Sequence, residues 1–183
     1  MSGEFGVFGG SFDPPHLGHT LLAAYALSGY ALERVIVVPT YAHAFAKPLS
    51  EFADRRRMCE LAFADLRRVE ISSIEQQLPV PSLTLNLVEA LSRQHPGVQL
   101  RLLIGSDLAA QTSSWHEFAR VAALAPLLVV PRSGHTDPTL QLPALPEVSS
   151  TEIRRRLQAG ESTAGYLSPA VEHYARARGL YAG

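Results

Sequence analysis

The chain has 183 residues, a formal net charge of -1 and a pI near 6.7. This is long enough for one well-buried α/β domain and short for two, and the near-neutral charge excludes a function built on a strongly basic surface, such as tight non-specific nucleic-acid binding. The single cysteine, Cys59, excludes an internal disulfide and fits a reducing compartment, and with no apolar run approaching the roughly 20 residues that span a bilayer, a cytoplasmic protein without membrane partners is expected.

In chain order, the strand-length run FGVF (5–8) breaks into Gly9-Gly10 and is followed by a run of good helix formers over 17–28. RVIVV (34–38) is the next strand, and helical spacing over 51–67 follows, including RRRMCELAFADL, where Cys59 reads as a buried, inert thiol. VEISSI (69–74), a helix over 84–94, VQLRLLIG (98–105), a helix over 115–124 and LLVVP (127–131) continue the alternation. Residues 132–148, rich in proline and polar turn formers, read as a loop. C-terminal helices follow over 150–159 and 169–178, the second with Ser168 as N-cap, Pro169 in its first turn and Gly179 as its stop.

Strands alternating with helices of this length imply βαβ units with right-handed crossovers, hence a doubly wound, mostly parallel sheet covered on both faces. We expect one Rossmann-like domain over 1–183, whose two C-terminal helices complete a nucleotide site. In such sheets ligands bind beyond the carboxyl ends of the strands, where the strand order reverses. Gly9 to His19, Pro39 to Lys47, Gly105 to Asp107 and Pro131 to Arg132 should therefore share one rim.

The chemistry concentrates in GGSFDPPHLGH, residues 9–19. Gly9 and Gly10 remove side chains where strand turns toward helix, which lets backbone N–H groups approach an anion. The helix beginning near Leu17 adds the positive end of its dipole. His16 and His19, three residues apart, project toward the same side of the first turn, and Gly18 keeps the surface between them low. Near the other end, VSSTEIR (148–154) places Ser150, Thr151 and Arg154 around a second helix start, suited to a triphosphate tail. Ser149 with Glu152 three residues later reads as a capping box, and Arg155 and Arg156 as a solvated face. His43, His95, His116, His135 and His173 lack metal-ligand spacing, so no protein metal site is expected.

GGSFDPPHLGH resembles the signature of the HxGH nucleotidyltransferase superfamily, and VSSTEIR resembles that superfamily's ISSTxIR motif. PVPSLTLNLVEAL (79–91), LLIGSDLAAQTSSWHEF (102–118), LLVVPRSG and YLSPAVEHYARARGLY extend the resemblance over nearly the whole chain to bacterial nicotinate-nucleotide adenylyltransferases. The resemblance implies the nucleotidyltransferase fold and adenylyl transfer from ATP to nicotinate mononucleotide, with Mg²⁺ held mainly by the ATP phosphates. It implies His16 and His19 as catalytic donors and an ATP site of Gly9, Gly10, Ser11, Phe12, Gly105, Asp107, Ser150, Thr151 and Arg154. It further implies that Trp115 packs on the pyridine ring, that Thr84 and its helix start receive the nicotinate group, and that Lys47 or Arg132 meets the acceptor phosphate.

Read from the residues alone, alternatives stand beside several of these roles. Trp115 could anchor the core, Asp107 could be an ordinary helix cap, Thr84 a first-turn residue, and Lys47 and Arg132 solvated charges. Ser11 stands where threonine is commonest in the family, YAHAFAKPLSEF replaces its Pro-Pro-His-Lys run, and Leu83 occupies a slot where an aromatic is common. Nicotinamide mononucleotide or phosphopantetheine as acceptor, and a non-catalytic nucleotide-binding regulator, are the rival readings. Oligomeric state is left open.

Overall fold

The computed structural model describes residues 3–42, 49–131, 145, 146 and 148–182, without the side chain of Ser113. Five strands form one sheet: β1 (Glu4–Gly10), β2 (Arg34–Pro39), β3 (Val69–Ile71), β4 (Gln99–Gly105) and β5 (Leu127–Val130), in the order β3-β2-β1-β4-β5. Every pairing is parallel, so the expected mostly parallel sheet is parallel throughout among the described residues. The helices are α1 (Leu17–Gly29), α2 (Phe52–Ala62), α3 (Thr84–Gln94), the single turn α4 (Ser106–Ala109), α5 (Phe118–Leu124), α6 (Ser150–Gln158) and α7 (Pro169–Ala177). From β1 the chain winds outward through β2 and β3, then returns to β4 on the other flank of β1. The strand order therefore reverses between β1 and β4, which makes the crevice beyond Gly10 and Gly105 the switch point of the sheet.

Side-chain alternation in the strands builds the two faces. Val35 and Val37 of β2 point into a cluster with Leu22, Ala23, Ala26 and Leu27 of α1 and with Cys59 and Phe63. Ile36 and Val38 point the other way, against Leu85, Leu87, Val88 and Leu91 of α3 and Val121 of α5. The helices match with one buried face each, at 22, 23, 26 and 27 in α1 and at 85, 87, 88 and 91 in α3. Gly6 permits close packing within β1, because a Cβ there would lie 2.8 Å from both Leu103 Cδ1 and Leu32 Cδ1.

A third cluster fixes the C-terminal helices. Ile153 and Leu157 of α6, and Val171 and Ala175 of α7, pack with Val148 and Leu167 on Met58 of α2. Because α2 also sends Cys59 into the sheet-side cluster, it is the layer through which the last helices attach to the sheet. Ser168 caps α7 as expected, its Oγ accepting from Val171 N–H at 3.3 Å, and Gly179 ends the helix region with φ +65°.

Three expected boundaries shift for local reasons. The helix expected over 51–67 stops at Ala62: Phe63 closes it, and successive turns through Leu66 lead directly into β3. The strand expected over 69–74 pairs only to Ile71, after which Ser72 Oγ accepts from Ile74 N–H at 3.3 Å and a 3₁₀ turn spans Ile74–Gln77. The helix expected from 115 begins at Phe118, because Glu117 sits in the left-handed region with φ 48°. Among the described residues no helix is long and apolar enough to cross a membrane.

Burial at Cys59 is complete, and it pushes the thiol well above its ordinary range. The native protein is therefore expected to resist a thiol-specific reagent and to release one reactive thiol per chain only after denaturation in guanidinium; rapid labelling under native conditions would contradict this packing.

Candidate active site

The turn after β1 brings the two histidines together. Their rings stack with centroids 3.7 Å apart and planes inclined by 24°. His19 Nδ1 accepts from the backbone N–H of His16 at 3.1 Å, the position that a Glu or Gln side chain takes in a capping box. That bond sets the tautomer of the neutral ring: with Nδ1 accepting, the proton sits on Nε2. Gly18 is required by contact. A Cβ there would lie 3.2 Å from the His16 ring and 3.5 Å from Val148 Cβ.

Phe12 supports this turn from beneath. Its backbone is left-handed, with φ 47°, a conformation that costs on the order of 1–3 kcal/mol for a side chain this size. The ring is 1% exposed and packs edge-on against Phe8 at 5.3 Å and His19 at 4.9 Å. Of the ATP-site residues expected in this stretch, Gly9 is exposed, Gly10 and Ser11 are half-buried, and the Phe12 side chain faces the core. Any contribution of Phe12 to a nucleotide is therefore through its main chain. The first amide of α1 is also committed, since Leu17 N–H donates to Tyr166 O at 2.8 Å.

The second motif docks on the first. Arg154 donates through Nη1 to the carbonyl of Asp13 at 2.7 Å and through Nη2 to Thr151 Oγ1 at 3.2 Å, while Ser150 Oγ donates to the carbonyl of Pro14 at 3.1 Å. The guanidinium thus lies on the backbone two and three residues ahead of His16, and a guanidinium with five N–H groups keeps donors beyond the two spent here. The capping box expected at Ser149 and Glu152 does not form. Ser149 makes no side-chain cap bond, and the Glu152 carboxylate is taken by Arg155 and Arg156 at 2.9 and 2.8 Å, which hold it at about 2, far below the usual carboxylate range. Arg155 lies on an exposed ion-paired face as expected, whereas Arg156 is more covered and sits 4.8 Å over the Tyr166 ring.

Three supporting residues escaped the sequence reading. Asp13 is 4% exposed; its carboxylate accepts from Tyr181 O–H at 2.6 Å and from Ser50 N–H at 3.1 Å. Arg55, 1% exposed, donates through Nε to Ser50 O at 2.8 Å and through Nη1 to Ser11 O at 3.0 Å. Its burial lowers its pKa, and Asp13 is the leading charge that opposes the shift. Tyr181 is raised well above its ordinary pKa, first by burial and then by its bond to Asp13. Arg55 had a readable signal: it lies three and four residues before Met58 and Cys59, on the buried face of α2. Asp13 and Tyr181 had none, because their pairing joins residues 168 positions apart.

Elsewhere on the rim, Gly105 ends β4 and caps α4, and Asp107 stands half-buried in the first turn of α4. Thr84 opens α3, and Trp115 is half-buried against the same core layer as α3, its ring edge-on to Phe118 at 6.3 Å. Core packing and partial exposure coexist at Trp115. Lys47 and Arg132, expected at the acceptor phosphate, lie outside the described residues.

Two substitutions separate support from chemistry. Gly18→Ala should lower turnover by displacing the His16 ring, since a Cβ there would lie 3.2 Å from it, while the circular dichroism spectrum stays unchanged; unchanged turnover would show that the ring position is not critical. Arg55→Met should destabilise by about 3 kcal/mol, or roughly 10 °C in melting temperature, by leaving the Ser11 and Ser50 carbonyls unpaired and the Asp13 carboxylate uncompensated. A loss under about 1 kcal/mol would show that this network does not hold the turn.

The family model described as cytidylyltransferase-like matches residues 7–156, a span containing both motifs. A protein of Anaeromyxobacter dehalogenans named "Probable nicotinate-nucleotide adenylyltransferase" is 41% identical over 188 aligned residues that cover 100% of each chain. One of the same name from Thermus thermophilus is 36% identical over 97% of this chain and 99% of its own. Among solved structures, the Plasmodium falciparum nicotinic acid mononucleotide adenylyltransferase complexed with NaAD superposes with a TM-score of 0.83 at 19% identity, covering 98% of this chain and 97% of that one, a likeness of fold. With both motifs in contact at the switch point, and relatives at this identity along its full length, the chain belongs to the cytidylyltransferase-like family, in the group of nicotinate-nucleotide adenylyltransferases.

Proposed function

We propose that the protein transfers the adenylyl group of ATP to nicotinate mononucleotide, giving deamido-NAD and pyrophosphate. The observation that carries this reading is the contact between chain ends: Arg154 and Ser150 bonded to the Asp13 and Pro14 carbonyls, immediately before the stacked His16 and His19. Two families of anion donors thereby converge on one crevice at the switch point of a parallel sheet. The acceptor assignment draws on the names of the full-length relatives.

In the proposed reaction an oxygen of the acceptor's phosphate attacks the α-phosphorus of ATP. A new P–O bond forms, the bond from the α-phosphorus to the bridging oxygen breaks, and pyrophosphate leaves with that electron pair. Both reactants are anions, so the protein must bring them together and spread the growing charge, and it need not supply a nucleophile. His16 and His19 donate to the α- and β-phosphate oxygens, His19 through its Nε2–H, since its Nδ1 accepts from the His16 amide. Arg154, Ser150 and Thr151 receive the triphosphate tail at the start of α6, and Gly9, Gly10 and Ser11 supply main chain beside it. Gly105 and Asp107 border the nucleoside, and Asp107 is suited to accept from ribose hydroxyls. Thr84 with the start of α3, and Trp115, receive the nicotinate ring; Lys47 or Arg132 meets the acceptor phosphate.

Mg²⁺ enters the proposal on the triphosphate. The ion would be carried mainly by phosphate oxygens and water. Bound there, it would neutralise charge on the leaving pyrophosphate.

The test is pyrophosphate release in the presence of ATP and Mg²⁺ with nicotinate mononucleotide, nicotinamide mononucleotide or phosphopantetheine as acceptor. Nicotinate mononucleotide should give the highest kcat/KM; preference for another acceptor would reassign the substrate, and no release with any would leave a nucleotide-binding regulator. His19→Ala should lower kcat about a hundredfold, the loss of one preorganised donor worth on the order of 3 kcal/mol, with an unchanged circular dichroism spectrum. Turnover at the parental rate would remove His19 from the mechanism.

A further inference from the structure

Glu75 is a carboxylate that the chemistry above does not use. It is 6% exposed in the 3₁₀ turn Ile74–Gln77, and burial is the leading influence, pushing its pKa up against the Tyr41 hydrogen bond and the charge of Arg55. Its Oε2 accepts from Tyr41 N–H at 2.7 Å, just beyond β2. The next residue, Ala42, pairs with Ser82: Ser82 Oγ accepts from Ala42 N–H at 3.2 Å and Ser82 N–H donates to Ala42 O at 3.0 Å. The buried carboxylate thus holds the segment leaving β2 one residue before that segment pairs with the one entering α3, whose first residue is Thr84.

A buried carboxylate is a costly way to close a turn, since its desolvation must be offset by every donor around it. At this position the cost has a use. Tyr41 and Ser82 lie on the rim where the acceptor is proposed to enter, and the carboxylate holds Tyr41, whose neighbour Ala42 is paired with Ser82. That pairing orients the backbone that leads into the N-terminus of α3, which has no side-chain cap bond and so presents its first amides to an anionic group.

We infer that Glu75 is a positioning residue for the acceptor, acting through Tyr41 and Ser82 to hold the start of α3 where the pyridine carboxylate binds. The inference rests on the proposed adenylyl transfer to nicotinate mononucleotide. Glu75 does not touch the triphosphate donors, so its influence belongs to one substrate and not the other.

The experiment is steady-state kinetics with each substrate varied in turn, on the parent protein and on Glu75→Gln and Ser82→Ala. Glu75→Gln preserves shape and an acceptor oxygen but removes the charge that strengthens the Tyr41 bond; Ser82→Ala removes the acceptor of the Ala42 N–H and keeps Glu75 with its Tyr41 bond, so it serves even where Glu75→Gln folds poorly. In both variants KM for nicotinate mononucleotide should rise about fivefold, the weakening or loss of one hydrogen bond of the clamp, while KM for ATP and kcat at saturation stay within about twofold. An unchanged acceptor KM in Ser82→Ala, or equal rises for both substrates, would overturn the inference and leave Glu75 a structural clamp. A parent protein without activity toward any acceptor would overturn the proposed function first, and the inference with it.

Discussion

The bond from the Arg154 guanidinium to the carbonyl of Asp13, 2.7 Å long, is the constraint on which the site depends. It joins the turn after the first strand to the sixth helix, 141 positions later. Around it, Ser150 holds Pro14, Leu17 gives its amide to Tyr166, and Tyr181 reaches the Asp13 carboxylate. Four hydrogen bonds from the last part of the chain therefore converge on residues 13 to 17. Clamped in this way the turn carrying the two histidines is held in one position, which the proposed electrostatic role requires.

That clamp has its own foundation. α2 is packed on both sides, Cys59 toward the sheet and Met58 toward α6 and α7, so apolar packing registers the C-terminal helices against the sheet independently of the polar contacts. Arg55 on the same helix supplies the buried positive charge beside Asp13 and holds the Ser11 carbonyl. Replacing a buried ionic network whole by well-packed apolar residues is often neutral in net stability, whereas removing one member leaves its partners uncompensated. What they supply here is position, because a planar guanidinium with fixed donor directions dictates where two loops lie relative to each other.

Much of this was legible in the residues. The β1-to-α1 turn, the parallel alternation, the paired histidines and the Ser-Ser-Thr-x-x-Arg start of α6 all stand as read, because each depends on local spacing or on strand and helix periods. Local rules failed where a stronger partner lay elsewhere. Glu152 reads as a capping-box residue until Arg155 and Arg156 compete for it with charge-assisted bonds. Arg55 is indistinguishable from its neighbours Arg56 and Arg57 in a run of three, and only the helical phase of Met58 and Cys59 separates the buried one from two exposed ones. Asp13, Tyr181 and Glu75 act through contacts between distant segments, which a single sequence does not encode as a pattern.

The most direct test is a crystal structure with a non-hydrolysable ATP analogue and Mg²⁺. The account predicts one triphosphate within hydrogen-bonding distance of the His16 and His19 imidazoles and of the Arg154 guanidinium together. Phosphates held by the histidine turn alone, or by α6 alone, would contradict it.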